Sequence, residues 1–442
     1  MAGNINRRKV LQRMGALGAI GGFSGWVKRG DRSEAQQGPD LLNIIGYPES
    51  GIQIFRDYYG NFQPNHDIIV PDGLQDSSLP GEVGDPMEEV RGTAPGSSGP
   101  NEDAFNQLYQ DQYDQASGVF NSHTYDAVAV CILANIAAGE NDGQAVRDRM
   151  RRVANPEGEE YGPGAFVEAA EAVANGEDVN YQGASSSVNF DDVGDPADTA
   201  YDVWQFAGNE IEVFDTIEFE GEGPGGEMAD ESPGGLGREV RVAILLPETG
   251  DLGSVGSPMI QAGRLPAQQI NESDLDLSVD LTVEDTQTAR EATLSAGEAL
   301  VNAGYPAIVG AASSGNSVPL TDVTSSAGVV QCSPASTALS LSNIEDDGYF
   351  FRTAPSDLLQ GQVMAQVAAE RLGAQSASTL YVNNDYGQQL SEQFSQSFQE
   401  DQGGEILRQV SFEIGQGLPR YASMTSSLAL MSAGVPSVST CP

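Results

Sequence analysis

The sequence predicts an α/β fold built from mostly parallel sheets flanked by helices. Short runs rich in aliphatic and β-branched residues recur along the 442-residue chain, and stretches with helical periodicity lie between them. This alternation favours parallel strands, because parallel neighbours need a crossover connection that is usually a helix. Such sheets bind ligands beyond the carboxyl ends of their strands. Polar residues that directly follow strands are therefore the first candidates for a site.

Changes in composition divide the chain into two blocks, 40–219 and 238–433. Residues 220–237 read EGEGPGGEMADESPGGLG, which is acidic, rich in glycine and proline and without periodicity, so a linker is predicted there. Residues 27–39 are polar and are predicted to form a stalk, and 434–442 form a short tail.

Both blocks show the alternation. Buried strands are predicted at 41–46, 67–70, 240–246, 281–284, 307–310, 328–331 and 379–382. A helix of Ala, Val, Ile and Leu is predicted at 124–138. Helices with one apolar face are predicted where apolar residues recur every four positions, at Leu359, Val363 and Val367 and at Leu390, Phe394 and Phe398. Pro266 is expected to interrupt another helix, since proline inside a helix is costly.

The charge balance is strongly acidic. The formal net charge is −43, from 64 acidic and 21 basic residues, and the two lysines, Lys9 and Lys28, both lie near the start. An acidic disordered segment is one explanation, but the acids are spread along the whole chain, which favours a folded protein adapted to high salt. In molar salt the Debye length falls to about 3 Å and self-repulsion is screened. Nucleic acid is excluded as a partner, because phosphate binding needs Lys and Arg.

The residue inventory removes most enzyme classes. Without lysine after Lys28 there is no Walker-A lysine and no Schiff-base lysine in the folded part, and His66 and His123 cannot form an HExxH motif. The three cysteines, Cys131, Cys332 and Cys441, form no CxxC pair, so neither a zinc site nor a disulfide framework is indicated. We expect a protein without catalytic residues, metal or cofactor.

Residues 1–26 have the pattern of a twin-arginine export signal. The run NINRRK at 4–9 precedes a short, weakly apolar stretch that ends near Trp26. That stretch is too short for a membrane-spanning helix, and no later stretch reaches about 18 apolar residues. Export is therefore expected.

Several motifs resemble branched-chain amino-acid-binding proteins of the periplasmic-binding protein family. The second block resembles the family's first half at VAILLPETGDLG (242–253), IVGAASSG (308–315), SPAST (333–337), YFFRTAPSD (349–357) and YVNNDYG (381–387). The first block resembles its second half at IIGYPESG (44–51), VPDG (70–73), GTAPG (92–96), HTYDAV (123–128) and NFDDVGD (189–195). Together the motifs cover nearly all of both blocks.

The resemblance implies the type I periplasmic-binding protein fold, in which two lobes, each a mostly parallel sheet flanked by helices, close on a ligand like a hinge. The family order of the two blocks is reversed here, which implies either a circularly permuted protein or a rearranged gene product. Each lobe would draw on both blocks: 238–354 with 116–200 in one, and 355–433 with 40–115 and 201–219 in the other.

The resemblance also implies a ligand site. The matching positions are Ser314 for the ligand carboxylate, Ser336 and Thr337 for a second polar loop, Asp72 for the ammonium, Tyr386 and Tyr47 as covering aromatics, and Tyr125 as a weaker match near the hinge. Each has an ordinary alternative, since Ser and Thr form turns, Asp72 could be a solvated turn acid beside Gly73, and tyrosines pack in cores. Val255 stands where some members have an aromatic residue, which leaves side-chain preference open.

The implied function is that of an extracytoplasmic solute-binding protein of an ABC importer. It would bind a small amino acid, branched-chain by resemblance, or an amide, as a monomer, and deliver it to the importer's membrane subunits. Two alternatives stay open, a ligand-sensing receptor domain of the same fold and a rearranged product without function. Related exported proteins often carry a lipid-bearing Cys where this chain has Trp26 after Ser24-Gly25, so a lipid anchor at the cell surface is not expected.

Overall fold

The computed structural model describes residues 38–61, 66–221, 223–226 and 235–414. The predicted signal 1–26, nearly all of the stalk, about half of the linker and the tail lie outside these ranges.

Strands and helices alternate along the chain. The strands are β1 (Leu41–Ile45), β2 (Asp67–Val70), β3 (Val90–Pro95), β4 (Glu159–Tyr161), β5 (Val179–Tyr181), β6 (Thr199–Ala207), β7 (Glu210–Phe219), β8 (Arg238–Leu246), β9 (Leu277–Asp285), β10 (Ala307–Gly310), β11 (Val330–Ser333), β12 (Phe350–Arg352), β13 (Ser376–Val382) and β14 (Glu405–Phe412). The α-helices are α1 (Pro48–Asn61), α2 (Leu79–Val83), α3 (Glu102–Tyr113), α4 (Asn121–Ala138), α5 (Gly143–Ala154), α6 (Phe166–Ala174), α7 (Gly253–Glu272), α8 (Arg290–Asn302), α9 (Ser314–Ser326), α10 (Asp357–Gln366) and α11 (Asp385–Glu400).

The strands form two main sheets. A seven-stranded sheet has the order β14-β13-β1-β2-β3-β6-β7, parallel except for the antiparallel hairpin β6–β7 at one edge. A five-stranded sheet, β12-β11-β10-β8-β9, is parallel throughout, and β4 and β5 form a small separate pair. The predicted class, mostly parallel sheets flanked by helices, is confirmed.

The two sequence blocks are interleaved in this fold. β1 of the first block lies between β2 and β13 and pairs in parallel with β13 of the second block, with Leu41 opposite Ala377. α4, from the first block, is buried along its whole length and packs beside β8 and α7, where Gly263 leaves room for Thr124 and Val128. Neither block alone can bury the apolar faces that it presents to the other.

One predicted break does not occur. α7 runs unbroken through Pro258 and Pro266, although Pro266 was expected to interrupt it. An internal proline costs about 3 kcal/mol, and burial of Leu265, Pro266 and Ala267 offsets that cost. Tertiary packing thus overrides the local preference.

No helix within the described ranges is long and apolar enough to cross a membrane.

Candidate ligand-binding site

A cleft lies where the carboxyl ends of the two sheets' strands meet. Its volume is about 380 Å³, counting the part open to solvent. Its walls are Tyr47, Asp72, Gly73, Phe120, Pro247, Leu252, Val255, Gly256, Met259, Ala312, Ser314, Ala335 and Tyr386. Six parallel strands, β1, β2, β8, β10, β11 and β13, each end one to four residues before one of these positions. The cleft therefore occupies the place where parallel α/β sheets bind ligands.

Four of the seven predicted site residues line this cleft: Tyr47, Asp72, Ser314 and Tyr386. They come from both sequence blocks and from both sheets. Ser336 and Thr337 are buried just behind the wall, next to Ala335, which does line it. Tyr125 lies elsewhere.

Ser314 is the polar group on the five-stranded side. It is the first residue of α9, and its Oγ accepts a hydrogen bond from Ala338 N at 3.2 Å. Because a hydroxyl has a single proton, that acceptor role leaves the Ser314 proton available to a ligand. The N-terminus of a helix also favours an anionic group. This corner of the cleft suits a carboxylate.

The Ser336 side chain points away from the cleft, toward the protein interior. Its Oγ lies 3.1 Å from Ala311 O, 3.0 Å from Ala312 O and 2.7 Å from Ser317 Oγ, and the residue is fully buried. With its hydroxyl committed to protein groups, Ser336 stabilises the loop after β11 and does not reach the cleft.

Asp72 is the charged group on the seven-stranded side. Its Oδ1 accepts hydrogen bonds from Gln360 Nε2 at 2.8 Å and from the Tyr386 hydroxyl at 3.2 Å. Burial raises the pKa of the Asp72 carboxyl to about 6, although these hydrogen bonds oppose the shift. No basic residue is present among the described residues that line the cleft. A buried carboxylate with only neutral partners favours a cationic ligand group.

Two tyrosines cover Asp72. The rings of Tyr47 and Tyr386 stack with centroids 5.7 Å apart and planes 10° from parallel. Burial raises the pKa of both phenols, so both remain neutral donors and acceptors. Gly73 N donates to the Tyr386 hydroxyl at 3.3 Å, and a Cβ at Gly73 would lie 2.4 Å from Gly46 O. Only glycine fits beneath this aromatic pair.

Polar contacts join the two sides of the cleft. Tyr47 OH and Ser313 Oγ are 3.0 Å apart, and Ser50 Oγ donates to Asp251 Oδ2 at 2.6 Å. Nearby, Ser340 N donates to Gln389 Oε1 at 2.8 Å. The structure therefore has the two sides in contact, with the cleft largely closed.

Tyr125 does not belong to the cleft. It lies on α4, its ring packs against Phe105 and Phe166 with centroids 5.4 and 6.2 Å away, and its hydroxyl donates to Gln269 Oε1. The predicted ligand contact is replaced by core packing, because α4 is buried on every side.

The sequence did not predict the apolar residues of the cleft wall, apart from Val255. Phe120, Leu252 and Met259 come from the beginnings of α4 and α7, and Pro247 follows β8. Apolar residues at helix starts carry no distinguishing sequence signal, so only the fold assembles them into one surface.

A second buried acid, Asp357, was also missed, although it ends the motif YFFRTAPSD. It is fully buried at the start of α10, one turn before Gln360. Burial and the nearby Asp72 carboxylate raise the pKa of Asp357 well above its usual value, while the Thr337 hydroxyl lowers it. Neither Asp357 oxygen makes a hydrogen bond of regular geometry within the described part of the chain. Asp357 is therefore a second buried carboxyl group near Asp72 that stays protonated to a higher pH than an exposed aspartate.

Comparison with known proteins finds a family match over part of the chain. A model of the periplasmic binding protein family matches residues 239–438. The match covers less than half of the chain, and over these residues the chain is similar to periplasmic binding proteins. The matched family consists of binding proteins rather than enzymes.

Individual relatives of this chain are distant. The leucine-, isoleucine-, valine-, threonine- and alanine-binding protein of Pseudomonas aeruginosa is 29% identical over 157 residues, which are 34% of this chain and 41% of that protein. Leu/Ile/Val-binding protein homolog 3 of Brucella melitensis biotype 1 is 24% identical over 160 residues, 35% of this chain and 43% of that protein. The chain thus spans about two fifths of the length of these curated relatives.

Solved structures give a similar match. The leucine binding protein LivK from Thermotoga maritima is 26% identical, with 43% of this chain and 53% of that chain covered and a TM-score of 0.39. The branched-chain amino acid transporter substrate binding protein LivJ from Streptococcus pneumoniae, solved with isoleucine, is 24% identical, with 43% and 54% covered and a TM-score of 0.37.

Proposed function

We propose that this chain is the solute-binding protein of an ABC importer and that its ligand is a small amino acid with an aliphatic side chain. One observation carries the proposal. The cleft has a hydroxyl and a helix N-terminus on one side, at Ser314, and an uncompensated carboxylate on the other, at Asp72. This arrangement complements a zwitterion, which must have both charges satisfied when it is buried.

The apolar wall supports the choice of side chain. Phe120, Leu252, Val255 and Met259 offer no charge and no hydrogen-bonding side chain to the ligand. An aliphatic group placed there gains about 25 cal/mol for each Å² removed from water. A charged or amide side chain would lose its hydration without gaining a partner. Two relatives are named as binding proteins for leucine, isoleucine and valine, which agrees with an aliphatic ligand side chain.

The direct test is calorimetry of the purified protein in 2 M KCl with leucine, isoleucine, valine, aspartate and lysine. We expect the aliphatic amino acids to bind and the two charged ones to fail. Isoamylamine, which is leucine without its carboxylate, and 4-methylpentanoate, which lacks the ammonium, separate the two halves of the zwitterion. A protein that unfolds cooperatively yet binds none of these amino acids would contradict the proposal.

We also propose that the block order is a functional circular permutation. The position of β1 between β2 and β13 supports this, because the order of strands in a sheet is independent of where the chain is opened. A gene in which 235–442 precedes 38–221 should yield a protein with the same ligand affinity as the natural chain. Loss of binding in a rejoined protein that is still folded would count against the permutation.

A further inference from the structure

Arg352 is a buried cation whose donors are fully used. Its Nε and Nη2 donate to Asp195 Oδ1 and Oδ2 at 2.6 and 2.7 Å, which forms a bidentate ion pair. Nη2 also donates to Ser342 Oγ at 2.6 Å, and Nη1 donates to Ser336 O and Ala338 O, both at 3.1 Å. These contacts account for all five guanidinium N–H groups.

The hydrogen bonds from Arg352 to Ser336 O and Ala338 O fix the orientation of the peptide groups in the loop behind the cleft wall. In a trans peptide the C=O and the following N–H point in opposite directions. Because Ser336 O faces Arg352, the N–H of Thr337 in the same peptide points away from the guanidinium. Within the described part of the chain, no group accepts a hydrogen bond from this N–H.

The neighbouring groups of the loop are also held. Thr337 O accepts from Asp357 N at 2.8 Å, and Ala338 N donates to Ser314 Oγ at 3.2 Å. The loop is therefore pinned at Ser336, Thr337 and Ala338, and it leaves two donors near the cleft, the Thr337 N–H and the Ser314 hydroxyl.

We propose that the Arg352–Asp195 pair positions the groups that bind the ligand carboxylate. The pair orients the loop so that the Thr337 N–H and the Ser314 hydroxyl point toward the same place in the cleft. The inference rests on the proposed function, since it assumes an amino-acid ligand. Asp195 neutralises the guanidinium, so Arg352 acts through orientation of the peptide and not through attraction of the anion. A binding cleft without a basic lining residue can in this way hold a carboxylate with neutral donors.

Arg352→Lys tests this role. Lysine keeps the charge, but three donors on one nitrogen cannot serve Asp195 in a bidentate manner together with two carbonyls. The paired variant Arg352→Met/Asp195→Leu removes both charges, so that a folded protein is obtained even if an unpaired Asp195 is not tolerated. Arg152→Lys is the matched control, because Arg152 is also buried and pairs with Asp178 at 3.2 Å outside the cleft.

The readout is the affinity for leucine against that for isoamylamine, in calorimetry at 2 M KCl. We expect both Arg352 variants to weaken leucine binding roughly 10- to 100-fold, as for loss of one charge-assisted hydrogen bond. Isoamylamine binding should change by less than about 3-fold, since that ligand has no carboxylate to misplace. Arg152→Lys should change neither.

Two outcomes overturn the inference. Equal loss of leucine and isoamylamine affinity in the folded Arg352 variants would mean that the pair only supports the fold. Equal affinity of the wild-type protein for leucine and isoamylamine would mean that no carboxylate contact exists to be positioned. If the folded wild-type protein binds no amino acid, the proposed function fails first, so the two failures are distinguishable.

Discussion

The two sides of the cleft differ in how their buried polar groups are partnered. On the five-stranded side the polar groups behind the wall are already bonded to protein: Ser336 to Ala311 and Ala312, and Arg352 to Asp195 and the loop carbonyls. On the seven-stranded side Asp72 is buried with a raised pKa and only neutral partners. The first side holds its loop in place through protein partners and presents the Ser314 hydroxyl, whereas the buried carboxylate of the second side has only neutral hydrogen-bond partners.

Buried polar atoms without a regular hydrogen bond lie on both sides of the cleft, with Thr337 Oγ1 and Asn316 Nδ2 on the five-stranded side. Those on the Asp72 side surround the buried carboxylate. Gln360 Oε1, Thr93 Oγ1 and both oxygens of Asp357 have no regular hydrogen bond among the described residues. Unpaired buried polar groups cost free energy, so we expect this side to be destabilised in the absence of a ligand. We expect the Ser314 side to fix the geometry of binding and the Asp72 side to supply most of its driving force.

Among the variants, Asp72→Ala should have the largest effect on ligand affinity. Without the carboxylate the ligand ammonium is buried unpaired, at a cost of about 2–5 kcal/mol, which corresponds to roughly 30- to 5,000-fold in affinity. Tyr125→Phe is the control and should change affinity by less than about 3-fold, since Tyr125 lies away from the cleft. Calorimetry with leucine measures both, and similar losses in the two variants would place Asp72 outside the site.

On the five-stranded side, Ser314→Ala should weaken leucine binding roughly 10- to 100-fold, because one hydrogen bond to a charged group is lost. Ser336→Ala, in the same region, should leave affinity within about 3-fold and instead lower the melting temperature, because its hydroxyl bonds to Ala311 and Ala312. The opposite ranking of affinities would show that Ser336 and not Ser314 faces the ligand.

Acid pH should weaken binding mainly through Asp72. Burial also raises the pKa of Asp251, on the five-stranded side, to about 6, but Asp251 is not among the residues that line the cleft. The pKa of Asp72 is about 6 without ligand, and the ammonium requires the ionised carboxylate. Below pH 6 binding must release a proton, so affinity should fall by about tenfold per pH unit. Titrations with leucine from pH 4.5 to 8 test this. Asp72→Asn should remove the dependence, and a wild-type affinity that is flat across this range would refute the assignment.

Asp72→Asn should also stabilise the ligand-free protein. The folded pKa of about 6 exceeds the ordinary value of 3.8, so the wild-type protein loses stability as pH rises from 3.8 to 6. The full cost, about 3 kcal/mol at roughly 1.4 kcal/mol per unit, is present above pH 6. Unfolding at pH 7.5 should favour the Asn variant and unfolding at pH 4 should not. A less stable Asn variant at pH 7.5 would mean that the charge is already compensated.

Cleavage of the 220–237 linker should have the smallest effect. Since β1 lies between β2 and β13, the two fragments should elute together on a sizing column in 2 M KCl and keep leucine affinity within about 3-fold. Separate elution of two folded halves would show that the interleaved sheet does not hold the blocks together.

Residues placed at the ends of strands were predictable, and residues placed by packing were not. Tyr47, Asp72, Ser314 and Tyr386 each follow a parallel strand by two to four residues, and the geometry of α/β sheets brings such positions together. The hairpin β6–β7 was not predicted, because its first strand is nearly all buried and its second is mixed, so neither shows clean alternation.

By itself, the sequence determined the α/β class, the acidic charge, the absence of lysine from the folded part and the neighbourhood of the site, because these depend on composition and on local periodicity. Only the tertiary structure decided that Ser314 faces the cleft while Ser336 faces the core, that Tyr125 packs inside, and that Arg352 meets Asp195 from the other block. Side-chain direction and partners depend on contacts between residues far apart in the chain, and local sequence does not encode them.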